Sequence, residues 1–157
     1  RGWHAERFGI LCQKLIKEDG MRLVLLGTEK ESQLLNRIKS SGQAGTIKII
    51  PPVNLRILAG LLRKSRLFIG NDSGMMHLAA MVGVPVLGIF GPGSPATTGP
   101  YMDMEKQELV TKNFSCSPCR QRFFKECKPS PLNKPYCLED ITVKDVHEAV
   151  RRMLKRY

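Results

Sequence analysis

The residues best suited to chemistry lie in one polar turn, residues 71–74, which reads Asn-Asp-Ser-Gly. The apolar run Leu67–Gly70 precedes this turn, and a helical pattern that carries His77 follows it. The first turn of a helix exposes unpaired backbone N–H groups and carries a partial positive charge, so it attracts anions. The turn therefore predicts a phosphate site at the carboxyl end of a strand and the amino end of a helix.

Each residue of the turn suggests a role and also has a structural alternative. Gly74 has no side chain, so a phosphate can approach the backbone closely, and the Ser73 hydroxyl is a further donor. His77 lies about one helical turn beyond Gly74, where its imidazole could donate to a phosphate oxygen, although a lone histidine is more often structural. Asp72 repels phosphate, so it suits sugar hydroxyls better, or it caps the helix.

Two further segments are expected at the same edge of the sheet. The loop at residues 91–95, Gly-Pro-Gly-Ser-Pro, follows the apolar run Pro85–Phe90. We expect a tight turn, which is compatible with a second role as a backbone wall beside the sugar or phosphate. Glu31 follows an earlier strand that ends at Gly27. A carboxylate in this position accepts from ribose hydroxyls in nucleotide-binding folds, but acidic residues also favour helix N-termini in general.

Four of the five cysteines share a Pro-rich loop at residues 113–138: Cys116, Cys119, Cys127 and Cys137. Four thiols that start with a Cys-x-x-Cys pair favour a structural zinc site. The other spacings match no standard zinc pattern, and disulfides are the alternative. We expect a local structural staple, either oxidised or metal-bound. Cys12, on the apolar face of the first helix, is expected to be a buried small hydrophobe.

Apolar runs that alternate with helical patterns predict a Rossmann-like α/β fold, a parallel sheet with helices on both faces. The predicted elements are helix Ala5–Glu18, strand Arg22–Leu26, helix Glu29–Ser40, strand Thr46–Ile50, helix Asn54–Lys64, strand Leu67–Gly70, helix Gly74–Val82, strand Pro85–Phe90, edge strand Leu109–Thr111 and helix Thr142–Arg156. Met76 and Met81 are expected to pack against the sheet. Thr142 and Asp145 have the spacing of a capping box.

We predict one nucleotide-sugar-binding domain over residues 1–157, with a core at 1–112, the cysteine loop at 113–138 and a C-terminal helix at 139–157. The net charge of +11 favours anionic partners such as phosphates or an acidic membrane surface. Basic residues cluster at 151–156, but no basic stripe with interleaved aromatics marks a nucleic-acid site. The apolar runs are too short to span a bilayer, and the chain has no signal segment and no initiator Met. We expect a fragment of a cytoplasmic protein.

The stretch NDSGMMHLAAMVGVPVLGIFGPGSP at residues 71–95 resembles the signature of the ADP-heptose-dependent lipopolysaccharide heptosyltransferases, glycosyltransferase family 9. The opening RGWHAERF resembles the start of the second domain in that family, and the CSPC motif with the later Cys-Leu also resembles its members. The resemblance implies one half of a GT-B glycosyltransferase, namely the C-terminal donor-binding domain. The N-terminal acceptor domain, with the proposed catalytic base, would be absent from this chain.

The resemblance also implies a bacterial enzyme that transfers heptose from ADP-heptose to the lipopolysaccharide inner core, in peripheral contact with the inner membrane. Ser73 and Gly74 would bind the diphosphate, and Asp72 would bind the donor sugar. His77 would stabilise the leaving nucleoside diphosphate. No metal cofactor is required, because protein donors can stabilise the developing charge.

Two more donor-binding residues follow from the same resemblance. Glu31 would hold the nucleoside ribose, and Arg1 stands where the family usually has a donor-contacting Lys. The chain departs from the family pattern at Met75, where Pro is usual, and at residues 93–94, where Gly-Ser replaces Thr-Asp. The second change removes a carboxylate, so a different donor sugar is an alternative.

Two other functions remain open at this point. One keeps the fold but uses another nucleotide sugar, such as an N-acetylglucosamine donor. The other is a zinc-stabilised RNA-binding module that uses the basic face and the cysteine loop. In the leading interpretation the chain alone binds ADP or the nucleotide sugar weakly and catalyses nothing.

Overall fold

The computed structural model describes residues 2–42, 45–116, 119 and 127–157. Within these ranges the elements are α1 Ala5–Lys17, β1 Leu23–Leu25, α2 Ser32–Ser41, β2 Ile47–Ile49, α3 Leu55–Arg63, β3 Phe68–Asn71, α4 Gly74–Met81, β4 Val86–Ile89, α5 Pro95–Thr98, β5 Gln107–Val110, α6 Tyr136–Glu139 and α7 Val143–Leu154, with short 3-10 turns at Glu29–Glu31 and Met104–Lys106. The chain divides into two compact units. The N-terminal unit is His4–Leu58, and the C-terminal unit combines Ala59–Tyr157 with the first residues through Trp3.

The N-terminal unit is built on a parallel pair of strands, β1 and β2, with α1 packed against α2. Gly9 of α1 allows the two helices to approach closely, since a Cβ atom there would lie 2.4 Å from the Cβ of Ser41. Cys12 is buried as predicted, and burial raises the pKa of its thiol to about 11. Its core cluster also contains Ala5, Ile38 and Ile47.

The C-terminal unit is built on a three-stranded parallel sheet in the order β3-β4-β5. All four residues of the central strand β4 are buried. Gly88 of this strand lets α4 pack tightly, because a Cβ atom there would lie 3.0 Å from the sulfur of the buried Met76. The prediction that Met81 also packs is wrong, since this side chain is 80% exposed at the end of α4.

Helix α7 packs against β4 and β5 and begins with the predicted capping box. The Asp145 N–H donates to the Thr142 hydroxyl at 3.1 Å, and the Thr142 N–H donates to the Asp145 carboxylate at 2.8 Å. Burial acts to raise the pKa of Asp145, but hydrogen bonds from Thr142 and Lys112 outweigh it, so the pKa lies below its usual value. Two backbone amides at the start of this helix are therefore satisfied by the side chains of the capping box.

The segment from Cys127 to Cys137 folds back on itself. Pro129 and Pro135 form an isolated antiparallel bridge, and Asn133 in the turn between them adopts a φ of 57°. Asn tolerates this left-handed conformation better than most residues. The bridge brings the start of the segment close to α6, the short helix that contains Cys137.

The predicted fold class, a Rossmann-like parallel α/β fold, is confirmed, since strands and helices alternate and every strand pair is parallel within the described ranges. The hydrogen-bonded strands form two sheets, one in each unit, where the sequence suggests one. Strand β5 begins at Gln107, two residues before the predicted edge strand. A single domain over residues 1–157 stays a prediction. Over the part of the chain that the structure describes, no helix has the length and apolar composition needed to cross a membrane.

Candidate nucleotide-binding site

The turn after β3 and the loop after β4 lie side by side at the carboxyl edge of the sheet. Asn71, the last residue of β3, pairs with Ile89, the last residue of β4. The Asp72 N–H donates to the Ile89 carbonyl at 3.3 Å, which extends the pairing by one step. The turn at 71–74 and the loop at 91–95 therefore share one edge, as the sequence predicts.

The start of α4 is open to solvent. Ser73 is the N-cap residue, its side chain makes no capping hydrogen bond, and both Ser73 and Gly74 are exposed. A Cβ atom added at Gly74 would meet nothing within 4 Å. The amides of Gly74 and Met75 precede the first intrahelical bond, which the Met76 N–H makes to the Ser73 carbonyl at 3.1 Å. These donors, the serine hydroxyl and the helix dipole are arranged to receive an anion.

His77 lies on the exposed side of the same helix, just beyond this start. The backbone N–H of His77 donates to the Ser73 carbonyl at 3.5 Å, and the His77 side chain is exposed. Met76 beside it is completely buried and anchors the helix to the sheet. The structure thus brings Ser73, Gly74 and His77 together on one accessible surface, as the sequence predicts.

Asp72 does not cap α4, because Ser73 holds the N-cap position. Its carboxylate turns instead toward the loop after β4, where the Thr98 hydroxyl donates to Oδ2 at 3.2 Å. The same oxygen lies beside Gly93, since a Cβ atom at that position would fall 2.4 Å from it. The sequence offered no motif that marks Thr98 as a neighbour of this turn.

Glu31 belongs to the N-terminal unit, and its local contacts are those of a helix cap. Both the N–H and the hydroxyl of Thr28 donate to Oε2 of Glu31 at 2.8 Å, which forms a capping box. Gly27 before it is closely approached, since a Cβ atom there would lie 3.2 Å from the same oxygen. The structural alternative for Glu31 is therefore realised, and its role toward a ribose stays a prediction.

Arg1 lies outside the described residues. The two residues after it are held against the sheet edge of the C-terminal unit. The Trp3 N–H donates to the Asn71 side chain at 2.9 Å, and the buried Trp3 indole donates to the Ile141 carbonyl at 2.9 Å. Lys134 donates to the Gly2 carbonyl at 3.0 Å. The start of the chain is thus anchored beside the last residue of β3.

All five cysteines lie in the described part of the chain, and none of them forms a disulfide bond. Cys137 is buried, and its burial together with the neighbouring thiols of Cys119, Cys116 and Cys127 raises its pKa to about 11. The four predicted residues are therefore near one another. Among the described residues, however, no three His, Cys, Asp or Glu side chains are already arranged to hold a metal ion.

The basic cluster at the end of α7 is largely engaged with the protein itself. Arg152 and Arg156 form ion pairs with Glu108 of β5. Arg66 donates to the carbonyls of Leu154 and Tyr157, which lie at and beyond the helix end. Cations at a helix C-terminus are favoured by the dipole, so these contacts support the structural interpretation of the cluster.

A parallel α/β unit with an open helix start beside a glycine-rich loop defines the class of nucleotide-binding α/β proteins. Solved structures share this fold. The E. coli ADP-heptose lipopolysaccharide heptosyltransferase II matches with a TM-score of 0.79 and 23% identity, over 98% of this chain and 42% of that one. An E. coli heptosyltransferase solved with ADP matches with a TM-score of 0.70 and 20% identity, over 96% of this chain and 39% of that one.

The sequence profile of glycosyltransferase family 9 (heptosyltransferase) matches residues 1–128. Lipooligosaccharide heptosyltransferase 2 of Campylobacter jejuni is 32% identical over 137 residues, which cover 85% of this chain and 41% of the relative. The chain therefore belongs to glycosyltransferase family 9, as the signature at residues 71–95 indicates. It spans about two fifths of the length of that relative.

Proposed function

We propose that this chain is the donor-binding part of a bacterial heptosyltransferase that transfers heptose from ADP-heptose to the lipopolysaccharide inner core. The observation that carries the proposal is the open start of α4, where Ser73, Gly74 and His77 share one exposed surface. Family membership supports it, and so does the relative of the same fold that was solved with ADP.

In this reaction an acceptor hydroxyl attacks the anomeric carbon of the donor sugar, and the bond from that carbon to the diphosphate breaks. Negative charge then grows on the departing diphosphate. The first amides of α4, the Ser73 hydroxyl and the His77 imidazole would stabilise that charge, because donors fixed at a helix start lower the energy of an anion that develops beside them. The base that takes the proton of the acceptor hydroxyl lies outside this chain.

The remaining donor contacts come from three residues. Glu31 would bind the ribose through Oε1, since its other oxygen is held by Thr28. Arg1 would contact the donor, because it stands where the family usually has a donor-contacting Lys. Asp72 would lie next to the donor sugar at the same edge.

A titration of this chain with ADP and ADP-heptose tests the proposal. Ser73→Trp should abolish binding, because the indole would cover the α4 amides. Ser65→Trp is the matched control, since Ser65 is exposed just after the C-terminus of α3, where a helix offers no free amides. This variant should leave ADP binding unchanged. Failure of the wild-type chain to bind any adenine nucleotide would overturn the assignment. Preference for a UDP-N-acetylglucosamine donor would select the alternative donor instead.

The RNA-binding alternative has its own readout. RNA binding that persists in Ser73→Trp and weakens steeply with salt, in a chain that never binds ADP, would replace the transferase interpretation. We expect no RNA binding, since the cations of Arg152 and Arg156 are paired with Glu108. The remaining basic surface would instead favour peripheral contact with an anionic membrane, which cosedimentation with anionic and neutral vesicles measures.

We also propose that the cysteine cluster is a structural staple, and that zinc or disulfides complete it. Metal analysis and the intact mass of the chain distinguish the two, since each disulfide lowers the mass by the hydrogens lost. With thiols free, Cys137 should alkylate far more slowly than Cys116 at about pH 8, because its raised pKa of about 11 leaves little thiolate. Cys12, which is buried in the other unit with a pKa of about 11, is the control and should also alkylate slowly. Four thiols that alkylate equally fast in the folded chain would contradict a staple.

A further inference from the structure

The loop after β4 is fixed tightly at its base. Gly91 lies against Leu138 of α6, so closely that a Cβ atom there would fall 2.3 Å from the leucine Cγ. Leu138 is completely buried, and Pro92 beside Gly91 is buried as well. The first two residues of the loop therefore cannot move without disturbing the core.

The outer end of the loop has much less support. It runs into α5, Pro95–Thr98, a helix of four residues whose N-cap Ser94 makes no side-chain capping bond. So short a helix has little stability of its own. The described hydrogen bond that ties its side chains to another element is the one from Thr98 to Asp72.

The chain makes room for this contact at position 93. A side chain there would collide with the Asp72 carboxylate, since its Cβ atom would lie 2.4 Å from Oδ2. Gly93 does not have a positive φ, so its backbone conformation does not call for glycine. Gly93 and Asp72 are nevertheless coupled, because a side chain at 93 would require the Asp72 carboxylate to leave the position in which it reaches Thr98.

We propose that Asp72 is a positioning residue, which through Thr98 and the gap at Gly93 fixes the outer end of the loop against the start of α4. We call this set, Asp72, Gly93 and Thr98, the loop clamp. The inference rests on the proposed function, because the clamped loop then forms the wall beside the donor diphosphate. It gives Asp72 a role that does not require contact with the donor sugar.

The clamp predicts that loop rigidity and nucleotide affinity change together. Thr98→Val removes the hydroxyl and keeps the shape, so ADP should bind about three- to tenfold more weakly, the range that one hydrogen bond gives. Asp72→Ala should have the same effect, and the double variant should be no worse than either single one. Asp72→Asn should largely restore affinity, because its amide oxygen still accepts from Thr98.

Thr97→Val is the matched control. The Thr97 hydroxyl donates to the Ser94 carbonyl at 3.3 Å. The Thr98 hydroxyl lies 3.1 Å from the same carbonyl and 3.2 Å from the Asp72 carboxylate, so its single proton is shared between two acceptors, and only Thr98 reaches Asp72. Thr97→Val should therefore leave ADP affinity unchanged. Gly93→Ala should weaken ADP binding, because the added methyl group displaces the Asp72 carboxylate. When Asp72→Ala is already present, Gly93→Ala should cause no further loss of ADP affinity.

Amide hydrogen exchange of residues 94–99 separates the clamp from the proposed function. Faster exchange in Thr98→Val and Asp72→Ala, but not in Thr97→Val, confirms the clamp even if the chain binds no ADP, a result that would overturn only the proposed function. Unchanged exchange overturns the clamp. So does an Asp72→Ala variant that binds ADP as tightly as wild type and loses affinity only for ADP-heptose, because the loop beside the diphosphate would then not depend on Asp72 and only its sugar contact would remain.

Discussion

The N-termini of α4 and α7 have similar N-cap residues, but only the N-terminus of α7 is capped by its own side chains. Each follows a hydroxyl residue as N-cap, Ser73 for α4 and Thr142 for α7. Thr142 and Asp145 satisfy each other's amides, whereas Ser73 makes no capping bond and the acid next to it, Asp72, turns to another loop. A helix start that forgoes its own cap keeps its donors for a ligand.

The largest effect that this comparison predicts is on catalysis at α4. In the intact enzyme, His77→Ala should lower kcat about 100- to 1,000-fold, as removal of one donor to a developing anion does. Met81→Ala, on the same exposed helix one turn further, should leave kcat close to wild type. Steady-state kinetics with ADP-heptose measure both. A kcat for His77→Ala within about threefold of wild type would remove His77 from the mechanism.

Gly74→Ala separates binding from stability at the same place. The added methyl group meets nothing in the protein, so folding should be unaffected, but it enters the space that a phosphate would use. We expect ADP affinity to fall about tenfold, a change of about 1.4 kcal/mol. Gly60→Ala in α3 also adds a methyl group to open space and should leave ADP affinity unchanged. Equal affinities in the two variants would show that no anion binds against Gly74.

Removal of the two N-cap hydroxyls should have opposite consequences: one variant should lose folding stability and the other should lose ADP affinity. Thr142→Ala should lower the free energy of unfolding by about 1 kcal/mol, because it breaks a formed capping box, and should leave ADP affinity unchanged. Ser73→Ala should do the reverse, with little change in stability and weaker ADP binding. Chemical denaturation and ADP titration of both variants measure this. A large stability loss in Ser73→Ala would mean that the serine is a structural cap after all.

The smallest effect is the pH dependence of the capped start. The folded-state pKa of Asp145 lies below its usual value of 3.8, so its charge stabilises the fold. That contribution is fully present above the unfolded-state pKa and disappears as the pH falls through the depressed folded-state pKa. The stability difference between wild type and Asp145→Asn should therefore be constant near neutral pH and shrink under acid conditions. If the stability difference between wild type and Asp145→Asn stays the same as the pH falls well below 3.8, the charged capping box is contradicted.

Local patterns were enough for much of the fold and for the centre of the site. The strand, polar turn and helix around Ser73 follow from short-range signals, and so does the capping box of Thr142, because each depends on residues a few positions apart. The same patterns fail where the outcome depends on distant packing. Met81 has the apolar character of a packed residue, but its side chain is 80% exposed, although Ala79 and Ala80 just before it are buried.

The sequence by itself determined the class of fold, the polar turn between a strand and a helix at residues 71–74 and the family, since these depend on local composition and spacing. Only the tertiary structure decided where the Asp72 carboxylate turns and that it lies beside Gly93. Asp72 and Thr98 are 26 positions apart, and no periodicity links them; parallel pairing of β3 and β4 brings their loops together. The capping alternative for Asp72 was reasonable from the sequence and wrong, because Ser73 is the N-cap of α4 and the pairing of the two strands places the Thr98 hydroxyl within hydrogen-bonding distance of the Asp72 carboxylate.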